Sequence, residues 1–177
     1  MATKIVEHAT LTPKEKIAKF TDFLLQSGIA VKSINDNRKL QTTDFLIETN
    51  NGKVVLIHAI VKNISSGGWS WKPFVKRIQV KTYAGIDLPR QSKNEITLLG
   101  GFAMVDGDYV YAAWNIFAYM SQNTVRSCYI DAENLVKAHD EGFARVFYAD
   151  NHVYLSDNKN MMNLIVSFIG QNAVTEI

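Results

Sequence analysis

The sequence predicts an α+β fold: a strongly curved antiparallel sheet or a partly open β-barrel of seven to eight strands, with an N-terminal helix and short flanking helices. Apolar residues recur at helical spacing near the start of the chain, and short β-branched and aromatic runs fill its middle. Asn-Gly and Asp-Gly turns join consecutive runs. Strands joined by such turns pair antiparallel, because parallel neighbours need longer crossover connections.

Helices are predicted near both ends of the chain. Thr12, Pro13 and Glu15 form a helix start signal, and Gly28 can end the helix that we predict over 12–28. Asp131 is expected to cap a second, short helix, and a last helix is expected over about 159–170. Because 177 residues can bury one sizeable core, we expect a single domain over 1–177.

The strands are predicted in the β-rich body over 29–156. Two of them, at 44–49 and 54–61, form a hairpin around an Asn-Gly turn. The other strands are expected at 74–81, in a hairpin over 95–114, and at 143–148 and 152–155.

Composition argues against several functional classes. The chain has one cysteine and four histidines without ligand spacing, so we expect no metal and no other cofactor. It has no apolar run long enough to cross a bilayer and no signal-peptide pattern. We therefore expect a cytoplasmic protein with no membrane partner.

Residues 53–86, which we call the basic segment, contain no Asp or Glu and six Lys or Arg. The whole chain has 19 Lys and Arg against 17 Asp and Glu, so 13 basic residues remain beside those 17 acids elsewhere. Such a charge distribution steers a polyanion to one face of a protein.

The centre of the basic segment carries the side chains that nucleic-acid interfaces use. Lysines suit phosphates, whereas Arg and Gln can pair two-pronged with guanine and adenine. The two indoles would point the same way if their backbone were extended. The predicted DNA-binding residues here are Ser66, Trp69, Trp71, Lys72, Lys76, Arg77, Gln79 and Lys81.

A second polar cluster lies at 121–127 and adds Asn123 and Arg126 to the predicted DNA-binding residues. It is either a second arm around the duplex or a loop that caps its own backbone.

Asp44, Glu48 and Lys62 open an enzymatic alternative. Their arrangement resembles the PD-(D/E)XK nucleases, in which acids and a lysine on adjacent strands hold Mg²⁺ and activate water. The pattern departs at Ile60, where that family has an acid, and at Thr43, where it has proline. The alternative explanation is that Asp44 and Lys62 are a solvated Asp-Lys pair on the face of a hairpin.

Short fragments over residues 55–155 resemble a domain that accompanies bacterial restriction endonucleases and stands beside an HNH or other nuclease module. The resemblance implies that this segment recognises DNA and that Arg77, Gln79 and Arg126 are functional positions. The loop at 69–72 has no counterpart in the family pattern. At the level of the fold, the strand count is also similar to B3-like DNA-binding domains. The matching fragments lie at 62–68, 76–80, 98–102, 113–115, 126–127 and 135–138, followed by Gly142.

The leading hypothesis is a sequence-specific, modification-sensitive double-stranded DNA recognition domain of a restriction system, with catalysis supplied by a nuclease domain or subunit. A self-contained Mg²⁺-dependent DNA endonuclease is the second, and a protein-interaction domain with exposed tryptophans is the third.

Overall fold

The computed structural model describes residues 4–81, 92–115, 125–148 and 151–175, with the backbone alone described at 81, 125–126 and 171–175. These ranges contain eleven strands and three helices. In chain order they are β1 (Val6–His8), α1 (Pro13–Gln26), β2 (Ala30–Asn37), β3 (Thr42–Glu48), β4 (Val54–Asn63), β5 (Ser65–Ser66), β6 (Val75–Lys81), β7 (Glu95–Val105), β8 (Asp108–Trp114), β9 (Val125–Asp131), α2 (Ala132–Glu141), β10 (Phe143–Tyr148), β11 (Asn151–Ser156) and α3 (Met161–Thr175).

The larger of two sheets has eight strands. Seven of them follow the order β10-β11-β8-β7-β4-β3-β2, and β1 pairs with β7 beside this path. The sheet is curved but does not close, so the α+β prediction is confirmed and the protein is not a closed barrel.

The prediction of an all-antiparallel sheet is wrong at its centre. β4 and β7 pair in parallel, with Leu56 opposite Glu95 and Asn63 opposite Phe102. The parallel pair is possible because the chain leaves the large sheet after β4, forms β5 and β6, and returns about thirty residues later, as a crossover requires.

The smaller sheet has the order β5-β6-β9, and both of its pairings are antiparallel. The strand predicted at 74–81 is present as β6. No strand was predicted at β9, whose first three residues belong to the polar cluster at 121–127. Gly101 shows how closely the small sheet approaches the large one: a Cβ there would lie 2.8 Å from Ile78 Cγ2.

Two apolar cores lie on opposite faces of the large sheet. The first joins α1 and α3 to β3 and β4, through residues such as Phe20, Phe45 and Phe168. The second joins the small sheet and α2 to the other face, through Ile78, Cys128 and Leu135. This layering leaves one side of the small sheet facing outward.

The predicted helices are present. Thr12 and Glu15 form the reciprocal capping box of α1. Asp131 stands at the N-cap of α2, but its side chain makes no capping hydrogen bond, so that detail is corrected. Among the described residues, no helix is both long and apolar enough to cross a bilayer.

Candidate nucleic-acid interface

The outward side of the small sheet, which we call the outer face, carries Ser65, Arg77, Gln79, Ser127 and Tyr129. Side chains alternate along β6 and β9, and their alternate members Ile78, Val80, Cys128 and Ile130 are buried in the second core. Arg77 is paired with Tyr129, and Gln79 with Ser127. The cross-strand register therefore brings Arg77 and Gln79 together on one surface, as strand alternation predicts.

Arg77 is held in place from two sides. Its Nη1 donates to Ser127 Oγ at 3.3 Å, and its guanidinium lies against the backbone of Gly68, where a Cβ would be 3.4 Å from Nη2. Gly68 has φ +89°, a left-handed conformation that favours glycine. Within the described ranges, Arg77 makes no ion pair with a carboxylate, and its Nε is buried without a partner. Ser127 and Gly68 thus orient the guanidinium, and no carboxylate among the described residues neutralises it.

The loop of residues 67–74, which we call the tryptophan loop, joins β5 to β6 and folds over the end of the outer face. The Trp69 ring stacks on Tyr129, with centroids 5.0 Å apart and planes at 27°. Lys72 Nζ lies over the Trp69 ring at 5.5 Å from its centroid. The backbone turns here, with Lys72 N donating to Trp69 O at 3.2 Å, so the two indoles do not form the pair that an extended backbone would give.

Trp71 makes no ring contact of this kind with any described residue, and it is 72% exposed. Phe74, at the end of the same loop, is 53% exposed. A single exposed apolar side chain is normal on a protein surface, but two large aromatic side chains exposed on one loop favour an interaction site.

The remaining predicted DNA-binding residues have different positions. Ser66 pairs with Lys76 and is exposed, and Lys76 lies on the side of β6 opposite to Arg77. Lys81 is the last residue of β6 and lies opposite Val125. Arg126, in β9, lies opposite Val80 of β6. Only the backbone is described at Lys81 and at Arg126. Asn123 lies outside the described residues.

Two carboxylates mark one border of the outer face. Asp131 and Glu133, at the start of α2, line a cavity of about 190 Å³ together with Phe74. Partial burial and the neighbouring Glu133 raise the pKa of Asp131 above its ordinary value, although Lys72 opposes this. The negative charge on the Phe74 side contrasts with the lysine and arginine beside Trp69.

Asp44, Glu48 and Lys62 do not converge. Asp44 is opposite His58 and Glu48 is opposite Val54, whereas Lys62 lies four residues beyond His58. At about 3.3 Å per residue, Glu48 and Lys62 are each roughly 13 Å along the strands from the Asp44 position, in opposite directions. Glu48 forms an ion pair with Lys32 at 2.8 Å. In the described part of the chain, no group of three His, Cys, Asp or Glu side chains could hold a metal ion.

Asp44 belongs to a different cluster. His58 is 3% exposed and joins two carboxylates, with Nδ1 2.7 Å from Asp44 Oδ1 and Nε2 2.5 Å from Glu95 Oε1. Asp44 also accepts from Thr42 Oγ1 and Asn37 Nδ2. These contacts tie β3, β4 and β7 together and fully engage the carboxylate that the nuclease alternative requires.

Sequence reasoning missed His58 as a bridging residue and Tyr129 as the support of Trp69. The alternation of Ser127 and Tyr129 with Cys128 and Ile130 could have shown that β9 has one polar side. No local pattern indicates that Tyr129 meets Trp69, because sixty residues separate them in the chain.

No curated protein and no solved structure gives a significant match to this chain, so the predicted B3-like character stays a prediction. A protein-family model described as Methylase-associated X1 (MTaX1) matches residues 55–168. The matched segment contains the strands of the outer face and the tryptophan loop, and it supports a connection with restriction-modification systems. Because the family model matches well over half of the residues of this chain, the chain belongs to the Methylase-associated X1 family.

Proposed function

We propose that this chain recognises double-stranded DNA in a restriction-modification system and that the outer face of the small sheet is its contact surface. One observation carries the proposal: Arg77 and Gln79 project side by side from β6, in a part of the face where the described residues supply no ion-pair partner for Arg77. A guanidinium that is oriented but not neutralised is suited to an anionic or hydrogen-bond-accepting ligand.

The side chains divide into base-reading and phosphate-binding groups. Arg77 can donate two hydrogen bonds to guanine, and Gln79 can both donate to and accept from adenine in the major groove. Ser127 orients Arg77 through its hydroxyl. Lys72, on the tryptophan loop, binds phosphate, which fixes the position of the duplex without reading its sequence. Lys76 lies on the side of β6 opposite to Arg77 and is not assigned to this surface.

Membership in a methylase-associated family supports the proposal that this chain acts in a restriction-modification system. A restriction system must distinguish modified from unmodified sites, so we propose that binding is sensitive to base methylation. Cleavage is assigned to a separate nuclease domain or subunit, and recognition by this chain requires no cofactor.

The test is a fluorescence-anisotropy measurement over a library of short duplexes, with and without methylated bases, at two salt concentrations. The wild-type chain should prefer a subset of sites. Arg77→Ala and Gln79→Ala should each weaken the preferred site by about 1–3 kcal/mol and relax discrimination at one position. Lys72→Ala should weaken all duplexes alike and reduce the salt slope by about 1.

Lys53→Ala is the matched control, because Lys53 belongs to the basic segment but precedes β4, about 30 Å along that strand from the end near the small sheet. It should change affinity little. Undetectable binding, or equal affinity of the wild type and the Arg77→Ala, Gln79→Ala double variant, would contradict the proposal.

A further inference from the structure

We infer that the two loop tryptophans have separate roles in DNA binding: Trp69 positions the tryptophan loop, and Trp71 inserts into the base stack of the bound duplex. This inference rests on the proposed function and concerns how the same face engages DNA.

Trp69 is already engaged within the protein. Its ring stacks on Tyr129, which is itself fixed opposite Arg77 in the small sheet, and Lys72 lies over the same ring. A base could stack on Trp69 only by displacing these groups. Its contacts instead anchor the loop to the outer face.

The loop is also held by its backbone. Gly67 N donates to Val75 O at 2.9 Å, and Val75 N donates to Lys72 O at 3.1 Å. Together with the Trp69 stack, these bonds fix the turn that carries Trp71. The exposed indole therefore projects from an anchored turn, and it loses less conformational freedom on binding than a side chain on an unsupported loop.

The charges around the loop favour Trp71 over Phe74 as the aromatic side chain that contacts DNA. Trp71 adjoins Lys72, which can bind a phosphate beside an unstacked base step. Phe74 shares its cavity with Asp131 and Glu133, and although Lys72 is near enough to act on Asp131, two carboxylates against one lysine disfavour a phosphate there. Of the two exposed aromatic side chains, Trp71 is the one that can approach DNA closely.

An aromatic or apolar side chain that enters a base step partly unstacks it and kinks the duplex. Insertion of Trp71 would make recognition depend on how easily the contacted step deforms, in addition to the bases that Arg77 and Gln79 read. Flexible pyrimidine-purine steps should therefore be favoured at the position under Trp71.

The test uses the full chain and the best-bound duplex of the library, carrying fluorescein at one end and 2-aminopurine at successive positions. Anisotropy reports binding, and 2-aminopurine emission rises where a base loses its stacking. With the wild type, emission should rise at one or two adjacent positions. Trp71→Ala should abolish the rise and weaken binding about 5- to 150-fold, the range expected for one aromatic-base stack.

Phe74→Ala is the matched control, since Phe74 is exposed on the same loop, and it should keep the emission rise. Trp71→Phe retains a ring and should keep part of it. Wild-type binding without any emission change, or an unchanged rise with Trp71→Ala, would overturn the inference and leave the proposed function intact. Absence of any anisotropy change would overturn both.

Discussion

His58 illustrates how a single residue connects the central strands. Both ring nitrogens lie within hydrogen-bond distance of a carboxylate, Nδ1 of Asp44 and Nε2 of Glu95. Each ring nitrogen of His58 therefore faces a carboxylate oxygen, and the two contacts link β4 to β3 and to β7. Both ring nitrogens of this buried side chain have a partner, which assigns His58 and Asp44 to the framework of the sheet.

Asp44 gives this cluster a measurable pH dependence. Burial alone would raise its pKa, but hydrogen bonds from Thr42, Asn37 and His58 outweigh burial and hold the pKa below its ordinary value of 3.8. A lowered folded-state pKa stabilises the fold above the unfolded value, and the stabilisation is lost as the pH falls through the folded-state value.

Asp44→Asn should therefore lower the free energy of unfolding by about 1.5–3 kcal/mol near neutral pH, because charge-assisted hydrogen bonds are lost. Urea unfolding of both proteins from neutral pH to below the ordinary pKa of Asp measures it, and the difference should shrink at the acidic end. Asp36→Asn, an exposed acid on β2, is the control and should change little. A difference that persists in acid would contradict this assignment.

At the scale of elements, the small sheet must pack closely on β7 for the outer face to be held rigidly. Gly101 is a point of close contact, since a Cβ there would lie 2.8 Å from Ile78 Cγ2 of the small sheet. The same Cβ would also lie 3.0 Å from Lys62 O in β4, the strand that pairs with β7 in the large sheet. The backbone oxygen cannot move away as a flexible side chain could. The absence of a side chain at Gly101 thus sets the distance between the two sheets.

Gly101→Ala should destabilise the fold by about 1–3 kcal/mol, the usual cost of overpacking a core. Gly170→Ala is a control of opposite sign. Gly170 lies in α3, and a Cβ added there would meet no side chain within 4 Å, so alanine should stabilise the helix by about 0.5–1 kcal/mol. Chemical denaturation of both variants measures the two effects, and a neutral Gly101→Ala would show that the sheets are not tightly packed at this point.

Local signals predicted most elements and few of their partners. The Gly52 and Gly107 turns lie within a few residues of the strands they join, and both hairpins were predicted. The parallel β4-β7 pair and the β6-β9 pair join segments far apart in the chain, so no local pattern specifies them. Alternation along β6 placed Arg77 and Gln79 on one side, whereas the Trp69-Tyr129 stack required the tertiary structure.

At the scale of the whole molecule, the family-matched segment and the N-terminal elements contribute differently. Residues 55–168 include the outer face and both strands that carry its polar side chains. The elements before residue 55 supply Phe20, Phe23 and Phe45 to the first core, on the opposite face of the large sheet. The proposed DNA contact and the packing of α1 and β3 therefore lie on different sides of the large sheet.

The most direct test of DNA recognition by the outer face is amide chemical-shift mapping of the isotopically labelled chain during titration with its preferred duplex. We predict that the largest changes fall on β6, β9 and the tryptophan loop, with little change in β2, β3 and α3. Changes concentrated on β2, β3 or α3, or no change at any site on adding duplex, would contradict the account.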